Sequence, residues 1–441
     1  MKKQFKISYV LLAFLTIMSC ESYVEDINID PNNFTDAPGS LVIGQAMLTA
    51  SKISESQAAR YAGIFTDQFS GCDRQFISYE NYNVIAGDFD DTWNDIYASG
   101  IGQSKYVQDK ASKDGNLVLE GVAQIIEALL IGEAAALFGN VPFTEAANAS
   151  EFPNPKYDGQ LQVLEGLQQI LDQAIAKVKN THVTDANGYG ASIYVQNSAM
   201  WKEIAFSLKA RYYLVAKDYE NAAAAAANGI STPDGDLLTY HSATDFQENL
   251  FWQFIVEQRA GYLGICNEPL LVQLLDGTKP RLLETPGDSE RLAHYFDVEN
   301  LELNTNEGGY FAIDAAFPIV SYVETKLIQA ESLARTGGDG LAPFNEIRDY
   351  LANKYNAEFP HSAAIGNDLI SQIIEEKYIS LPGSLQVFHD VRRTNNSIGV
   401  PIKNNQASDI PQRFLYPQVE INANTNYPGS ENLFSKTPIN Q

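Results

Sequence analysis

Five histidines, His182, His241, His294, His361 and His389, are the first residues to weigh for proton transfer or metal binding, and their spacing argues against both. No two lie at i, i+4, so no helix presents a pair of imidazoles to zinc as an H-E-x-x-H segment does. A G-x-S-x-G elbow, an S-x-x-K pair, a P-loop and a G-x-G-x-x-G turn are all missing from the sequence. Hydrolysis by two carboxylates leaves no motif, and 55 acidic residues offer many pairs, so an α-helical glycosidase stays open as an alternative. The densest acidic cluster is Asp88, Asp90, Asp91 and Asp95. As a calcium loop it lacks the glycine and the closing glutamate of an EF-hand, and it is read instead as a helix start in which Asp90 or Asp91 caps the helix carrying Trp93. No catalytic residue, cofactor or metal is expected.

Aromatic rings offer a different chemistry, that of holding a ligand. Planar side chains stack on the C–H faces of sugars or grip peptide side chains, and they lose little entropy because they have few torsions. Tyrosine and phenylalanine number 23 and 22, and many fall in aperiodic stretches away from any helical core face. Tyr79 and Tyr82 sit within Ser78-Tyr79-Glu80-Asn81-Tyr82-Asn83, polar enough that neither ring needs burial. Trp252, in a more apolar stretch, with Tyr262 and Tyr310, completes the expected ligand-binding set. Trp93 and Trp201 lie on helical faces and are read as core.

One cysteine carries chemistry of its own. Lys2, Lys3 and Lys6 precede an apolar run from Ile7 to Met18, and small Ser19 precedes Cys20. The run is too short to span a membrane as a helix and reads as a signal peptide over residues 1–19. Ser19-Cys20 is similar to a bacterial lipobox, which implies cleavage before Cys20, acylation of that residue and a lipid-anchored mature chain. Cleavage removes three lysines and no acid, taking the net charge from −25 to about −28. Such a surface repels phosphate backbones and anionic headgroups, which excludes nucleic acid as a partner and suits a neutral ligand. Cys72 and Cys266 have no metal-ligand spacing; a single long-range disulfide and two buried thiols both fit, with the thiols favoured.

The elements that must position these residues are helical. Trp201, Ile204, Ala205, Leu208, Tyr212 and Val215 make one apolar face of a helix that begins near Asn197 or Ser198. Tyr219 to Ala227 follows as an alanine-rich helix stopped at Asn228-Gly229, its small residues suited to close approach by another helix. This hairpin follows the packing logic of tetratricopeptide repeats. Related hairpins are expected from Trp93–Lys110 with Leu117–Phe138, and from Val320–Arg335 with Phe344–Tyr355. Leu161–Val178 and Asp368–Leu381 add two helices, while Gly229–Phe317 and the stretch after Arg392 are loop-rich. Recognition residues are most often carried by such loops.

Several segments, in order along the chain, resemble the SusD/RagB family of Bacteroidetes outer-membrane lipoproteins. They are Asp30-Pro31-Asn32; Trp93-Asn94-Asp95-Ile96-Tyr97; Ala199-Met200-Trp201-Lys202 through Arg211; and Ser289-Glu290-Arg291-Leu292-Ala293-His294-Tyr295-Phe296. Ile374-Glu375-Glu376-Lys377-Tyr378 with Asp390-Val391-Arg392-Arg393-Thr394, and Arg413-Phe414-Leu415-Tyr416-Pro417 with Glu420, close the series. The resemblance implies a mainly α, SusD-like fold over residues 20–441 with divergent tetratricopeptide-type hairpins, residues 20–35 forming the lipid tether. It also implies a surface-exposed, lipid-anchored position on the cell outer membrane and a SusC-type TonB-dependent transporter as partner. The ligand would be an oligosaccharide, or a peptide as in RagB-like members. The motif-matched residues would carry fold and not ligand, with Arg392 and Arg393 paired in the interior with Glu375 or Glu376.

Overall fold

The computed structural model describes residues 37–183 and 199–441. Cys20, the leader before it, the tether at 20–35, Asp30-Pro31-Asn32 and the expected helix start at Asn197 or Ser198 lie outside the described residues.

The fold is mainly α, and its helices follow the apolar periodicities of the sequence. Helices α1 (Gly39–Glu55) and α2 (Gln57–Phe65) lead into the single turn α3 (Gln75–Glu80). Helix α4 (Asp90–Asn94) runs through a π-helical stretch, Asp95–Ile101, into α5 (Gly102–Lys113). Asn116 then caps α6 (Leu117–Phe138), its side chain accepting from the Leu119 amide at 3.1 Å. Among the described residues α6 is the one helix long and apolar enough to cross a membrane, and apart from its first turn it is buried as the central element of the core. Helix α7 (Gln160–Val178) packs between α6 and α8 (Trp201–Val215), and α9 (Tyr219–Ala226) returns along α8. Ala222, Ala225 and Ala226 of α9 meet Ala210 and Leu214 of α8, so the small residues act where helices approach closely.

The loop-rich region contains three short helices, α10 (Leu250–Trp252), α11 (Leu270–Asp276) and α12 (Asp288–Tyr295). A second hairpin, α13 (Tyr322–Thr336) with α14 (Leu341–Tyr355), then precedes α15 (Gly366–Ser380), α16 (Leu385–Arg393) and the short α17 (Gln418–Ala423). Among the described residues six short strands, β1 (Ser70–Gly71), β2 (Leu237–Thr239), β3 (Leu263–Gly264), β4 (Phe296–Asp297), β5 (Glu302–Leu303) and β6 (Phe317–Val320), clip the loops together. They pair antiparallel as β1 with β3, β2 with β6 and β4 with β5. Trp93 and Trp201 are core residues as expected, 3% and 0% exposed.

Four expectations need correction. Cys72 and Cys266 form a disulfide, their Cα atoms 5.9 Å apart, because the β1/β3 pairing brings two segments 194 residues apart in sequence side by side. Gly229 does not end α9 through a left-handed cap; an added Cβ there would lie 2.5 Å from Ser207 Oγ and 2.8 Å from Thr325 Cγ2, so the position needs glycine for close approach. Neither Asp90 nor Asp91 caps α4; Asp90 Oδ1 accepts from the Val419 amide at 3.1 Å, and it is Asp88 that accepts from the Ile85 amide at 2.7 Å. Arg393 pairs with Glu331 and Asp390, and Arg392 donates to carbonyls of Phe388, Gln412 and Ala136. Glu375 and Glu376 are taken instead by Arg281, Arg291 and Arg348.

Candidate functional site

A cleft of about 340 Å³ opens where α1 and α2 meet α4 and the Leu250–Gln258 turn. That volume is within the range of clefts that take small ligands, about 300–1,000 Å³. Ser56 breaks the chain between α1 and α2, with a backbone conformation outside the helical region, so that α2 sets off in a new direction. On α2, Gln57 and Arg60 lie one turn apart and face the cleft, whereas Ala58, Ala59, Tyr61, Ala62, Ile64 and Phe65 are buried. Across from them, Asn249 starts α10 by accepting from the Phe251 and Trp252 amides at 2.9 and 3.2 Å. The chain then widens into a π-helical turn, Gln253–Gln258, and Gln253 and Gln258 line the cleft. The other π-helical stretch begins with Asp95, also a lining residue. Such turns are rare and recur at functional sites, and here two of them border one cleft.

The polar groups are held in place by their neighbours. Thr92 Oγ1 donates to Gln57 Oε1 at 3.4 Å and Gln57 Nε2 donates to Tyr61 Oη at 3.3 Å. Gln253 Nε2 donates to Glu248 Oε2 at 2.6 Å. Lys52 Nζ lies 2.8 Å from Asp95 Oδ2, a half-exposed ion pair that contributes at most about 1 kcal/mol but fixes α1 against the π-helical stretch. Arg60 lays its guanidinium over the Phe254 ring, 4.1 Å from the centroid. Its Nε is buried with no hydrogen-bond partner, and burial lowers its pKa to about 10. Beneath runs an aromatic layer: Phe254 to Phe76 at 5.1 Å, Phe76 to Tyr79 at 5.3 Å, Phe76 to Tyr262 at 5.8 Å and Tyr79 to Tyr61 at 4.7 Å. Amides, a guanidinium and carboxylates over an aromatic floor can bind a hydroxyl-rich ligand through many directional hydrogen bonds.

The residues expected from sequence divide between this neighbourhood and elsewhere. Tyr79 and Tyr262 converge on Phe76, and half-buried Trp252 lies between the lining residues Leu250 and Gln253. Tyr82 and Tyr310 lie apart: Tyr82 packs on Phe65 and Phe434, and half-buried Tyr310 on His294 and Tyr295. The expectation that Tyr79 and Tyr82 escape burial is overturned, for they are 7% and 5% exposed. In the one-turn α3, Ile77 and Ser78 face solvent while Phe76 and Tyr79 turn inward, and the Tyr79 hydroxyl donates to Asp88 Oδ1 at 3.0 Å. Tyr82 has a left-handed backbone, φ 61°, and its hydroxyl is enclosed by the Lys403 amide and the Pro401 carbonyl at 3.1 and 3.3 Å. Gln57, Arg60, Gln253 and Gln258 were not foreseen. One sign of them was present: an arginine inside the otherwise apolar Ala58-Ala59-Arg60-Tyr61-Ala62-Gly63-Ile64-Phe65.

Comparison with known proteins adds the following. A family model, SusD-like_2, described as "Starch-binding associating with outer membrane", matches residues 31–417. Among solved structures, a SusD/RagB family protein from Bacteroides thetaiotaomicron is similar at 19% identity and TM-score 0.66, over 89% of this chain and 95% of that one. A chitin-binding protein is similar at 20% identity and TM-score 0.62, over 88% and 95%. A SusD homolog from Bacteroides uniformis is similar at 18% identity and TM-score 0.67, over 91% and 99%. No curated protein matches in sequence.

Proposed function

The chain belongs to the SusD-like family, starch-binding and associated with the outer membrane, and from that premise we propose that it is a surface lipoprotein that captures an oligosaccharide and delivers it to a SusC-type TonB-dependent transporter. It does so without chemistry. The observation that carries the reading is the cleft between α2, α4 and the Leu250–Gln258 turn, where neighbours pre-orient the amides of Gln57 and Gln253. Pre-orientation reduces the ordering cost of binding a flexible glycan. A similar fold in a chitin-binding protein supports a glycan over a peptide. Acylation at Cys20 supplies the anchor, since several acyl chains hold what one holds only marginally.

Two measurements test this. Thermal melting of the purified protein against a panel of soluble glycans and peptides should show a rise with at least one glycan, since ligand at 100-fold over its Kd adds about 2.7 kcal/mol. Mild detergent extraction of membranes should recover the protein with a larger β-barrel partner. Recovery of the protein alone with no glycan or peptide response would overturn the reading, and release of reducing sugar by the purified protein would instead favour a glycosidase.

A further inference from the structure

The interior of this protein satisfies its arginines with care. Arg211 pairs with Glu133 and Glu324, Arg281 with Asp288, Glu375 and Glu376, Arg291 and Arg348 with Glu376, and Arg393 with Glu331 and Asp390. Arg392 meets no carboxylate but donates to three carbonyls and contacts His389 Nδ1 at 2.6 Å. Arg60 departs from this pattern. Among the described residues no carboxylate lies within ion-pair distance of it, and its buried Nε has no partner. Its guanidinium rests on Phe254 and borders the cleft.

The residue is half-buried, and a cation partly drawn out of water without a counter-charge carries a cost. A chain with 55 acidic residues has no shortage of carboxylates to place beside it. Contact with the Phe254 ring, 4.1 Å from guanidinium carbon to ring centroid, restricts where the N–H fork can lie, and that fork matches a carboxylate in bidentate geometry. Other charges in the cleft leave that role open: Lys52 already neutralises Asp95, and Asp91 is exposed in the first turn of α4, where the helix end favours its charge.

We propose that the ligand of this cleft is an acidic, uronate-bearing oligosaccharide whose carboxylate is received by Arg60, while Gln57, Gln253 and Gln258 bind the neighbouring hydroxyls. The net charge of the chain alone suits a neutral ligand, but the lining, with Lys52 and Arg60 against Asp91 and Asp95, is balanced. The inference rests on the glycan-binding reading above and narrows it to a substrate class. Recognition then comes from a counter-charge that the protein lacks and the ligand supplies.

The test uses pairs of oligosaccharides that differ only in the acid: oligogalacturonates, oligoglucuronates and oligomannuronates, each against its carboxyl-reduced, neutral counterpart. Calorimetry on the wild-type protein should show at least one acidic member binding about tenfold or more tighter than its neutral twin, the effect of one charge-assisted contact. Arg60→Gln should bring the pair to within about twofold, and Arg60→Lys should restore part of the preference, keeping the charge but losing the fork. Without ligand, Arg60→Gln should melt close to the wild type, because it loses the contact with the Phe254 ring but relieves a cation that has no counter-charge. Equal affinity for acidic and neutral twins overturns the inference and leaves the glycan-binding reading standing. A preference that survives Arg60→Gln, or a marked loss of melting temperature in that variant, overturns it too. Binding of acidic peptides with no glycan of either kind overturns both.

Discussion

Glu133 shows how single residues hold this fold. It sits on α6, 1% exposed, and receives Arg211 at 3.3 Å, Gln386 at 2.9 Å and His389 at 2.8 Å. Burial alone would raise its pKa, but the His389 contact and the Arg211 charge outweigh it and lower the pKa to about 2. Glu133→Ala leaves Arg211 and His389 facing a void and should cost about 3–5 kcal/mol, read by denaturant unfolding. Asp236 is the opposite case. Burial raises its pKa from 3.8 to about 7, although the Tyr322 amide donates to its Oδ1 at 2.6 Å. A raised acid favours the folded state below pH 3.8 and loses that advantage as pH climbs through 7. At roughly 1.4 kcal/mol per pH unit the loss is at most about 4 kcal/mol, less where water reaches the carboxyl. Asp236→Asn should therefore raise the melting temperature at pH 8 and do little at pH 4; equal gains at both would contradict the assignment. Residues of this kind were only partly legible in the sequence. Arg393 was foreseen as paired in the interior, but its partner Glu331 is 62 residues away and no local pattern marks it. Tyr79 misled because polar neighbours say nothing of the inner side of a one-turn helix, and Tyr82, in the turn after it, because the Pro401–Lys403 segment that covers it is over 300 residues away.

At the scale of elements, the helices were legible because their apolar faces repeat with the helical period. The hairpin of α13 and α14 and the long α6 fall within a few residues of their expected bounds. Contacts between helices were less legible, since they depend on which small residues meet which large ones. Gly132 of α6 is one such point: a Cβ there would lie 2.2 Å from Tyr212 Cζ on α8, whose hydroxyl donates to the Leu129 carbonyl at 2.8 Å. Gly132→Ala improves helix propensity yet should destabilise by about 1–3 kcal/mol through overpacking, as measured by thermal melting. A neutral or stabilising result would mean that α6 and α8 can move apart. The two π-helical stretches beside the cleft have no sequence signature that periodicity detects, so the walls of the site had to come from the structure.

For the whole molecule, the ordered series of motifs located the family, and a family match over residues 31–417 bears it out. The same motifs could not locate the cleft, because the matched residues mostly build the scaffold: of them Asp95 lines the cleft, but Gln57, Arg60, Gln253 and Gln258 lie outside the motifs. The acidic excess fits a protein that works outside the cell on a soluble ligand, and the Cys72–Cys266 disulfide fits oxidising surroundings. The central claim is that this cleft captures a glycan, and the most direct test is the calorimetric affinity of the best-bound oligosaccharide for the wild type against the Gln57→Ala/Gln258→Ala variant. Both side chains line the cleft, Gln57 bonds to the neutral hydroxyls of Thr92 and Tyr61, and Gln258 is exposed, so the variant should fold. The account predicts a loss of affinity of about tenfold or more at unchanged melting temperature; an affinity equal to the wild type would contradict it.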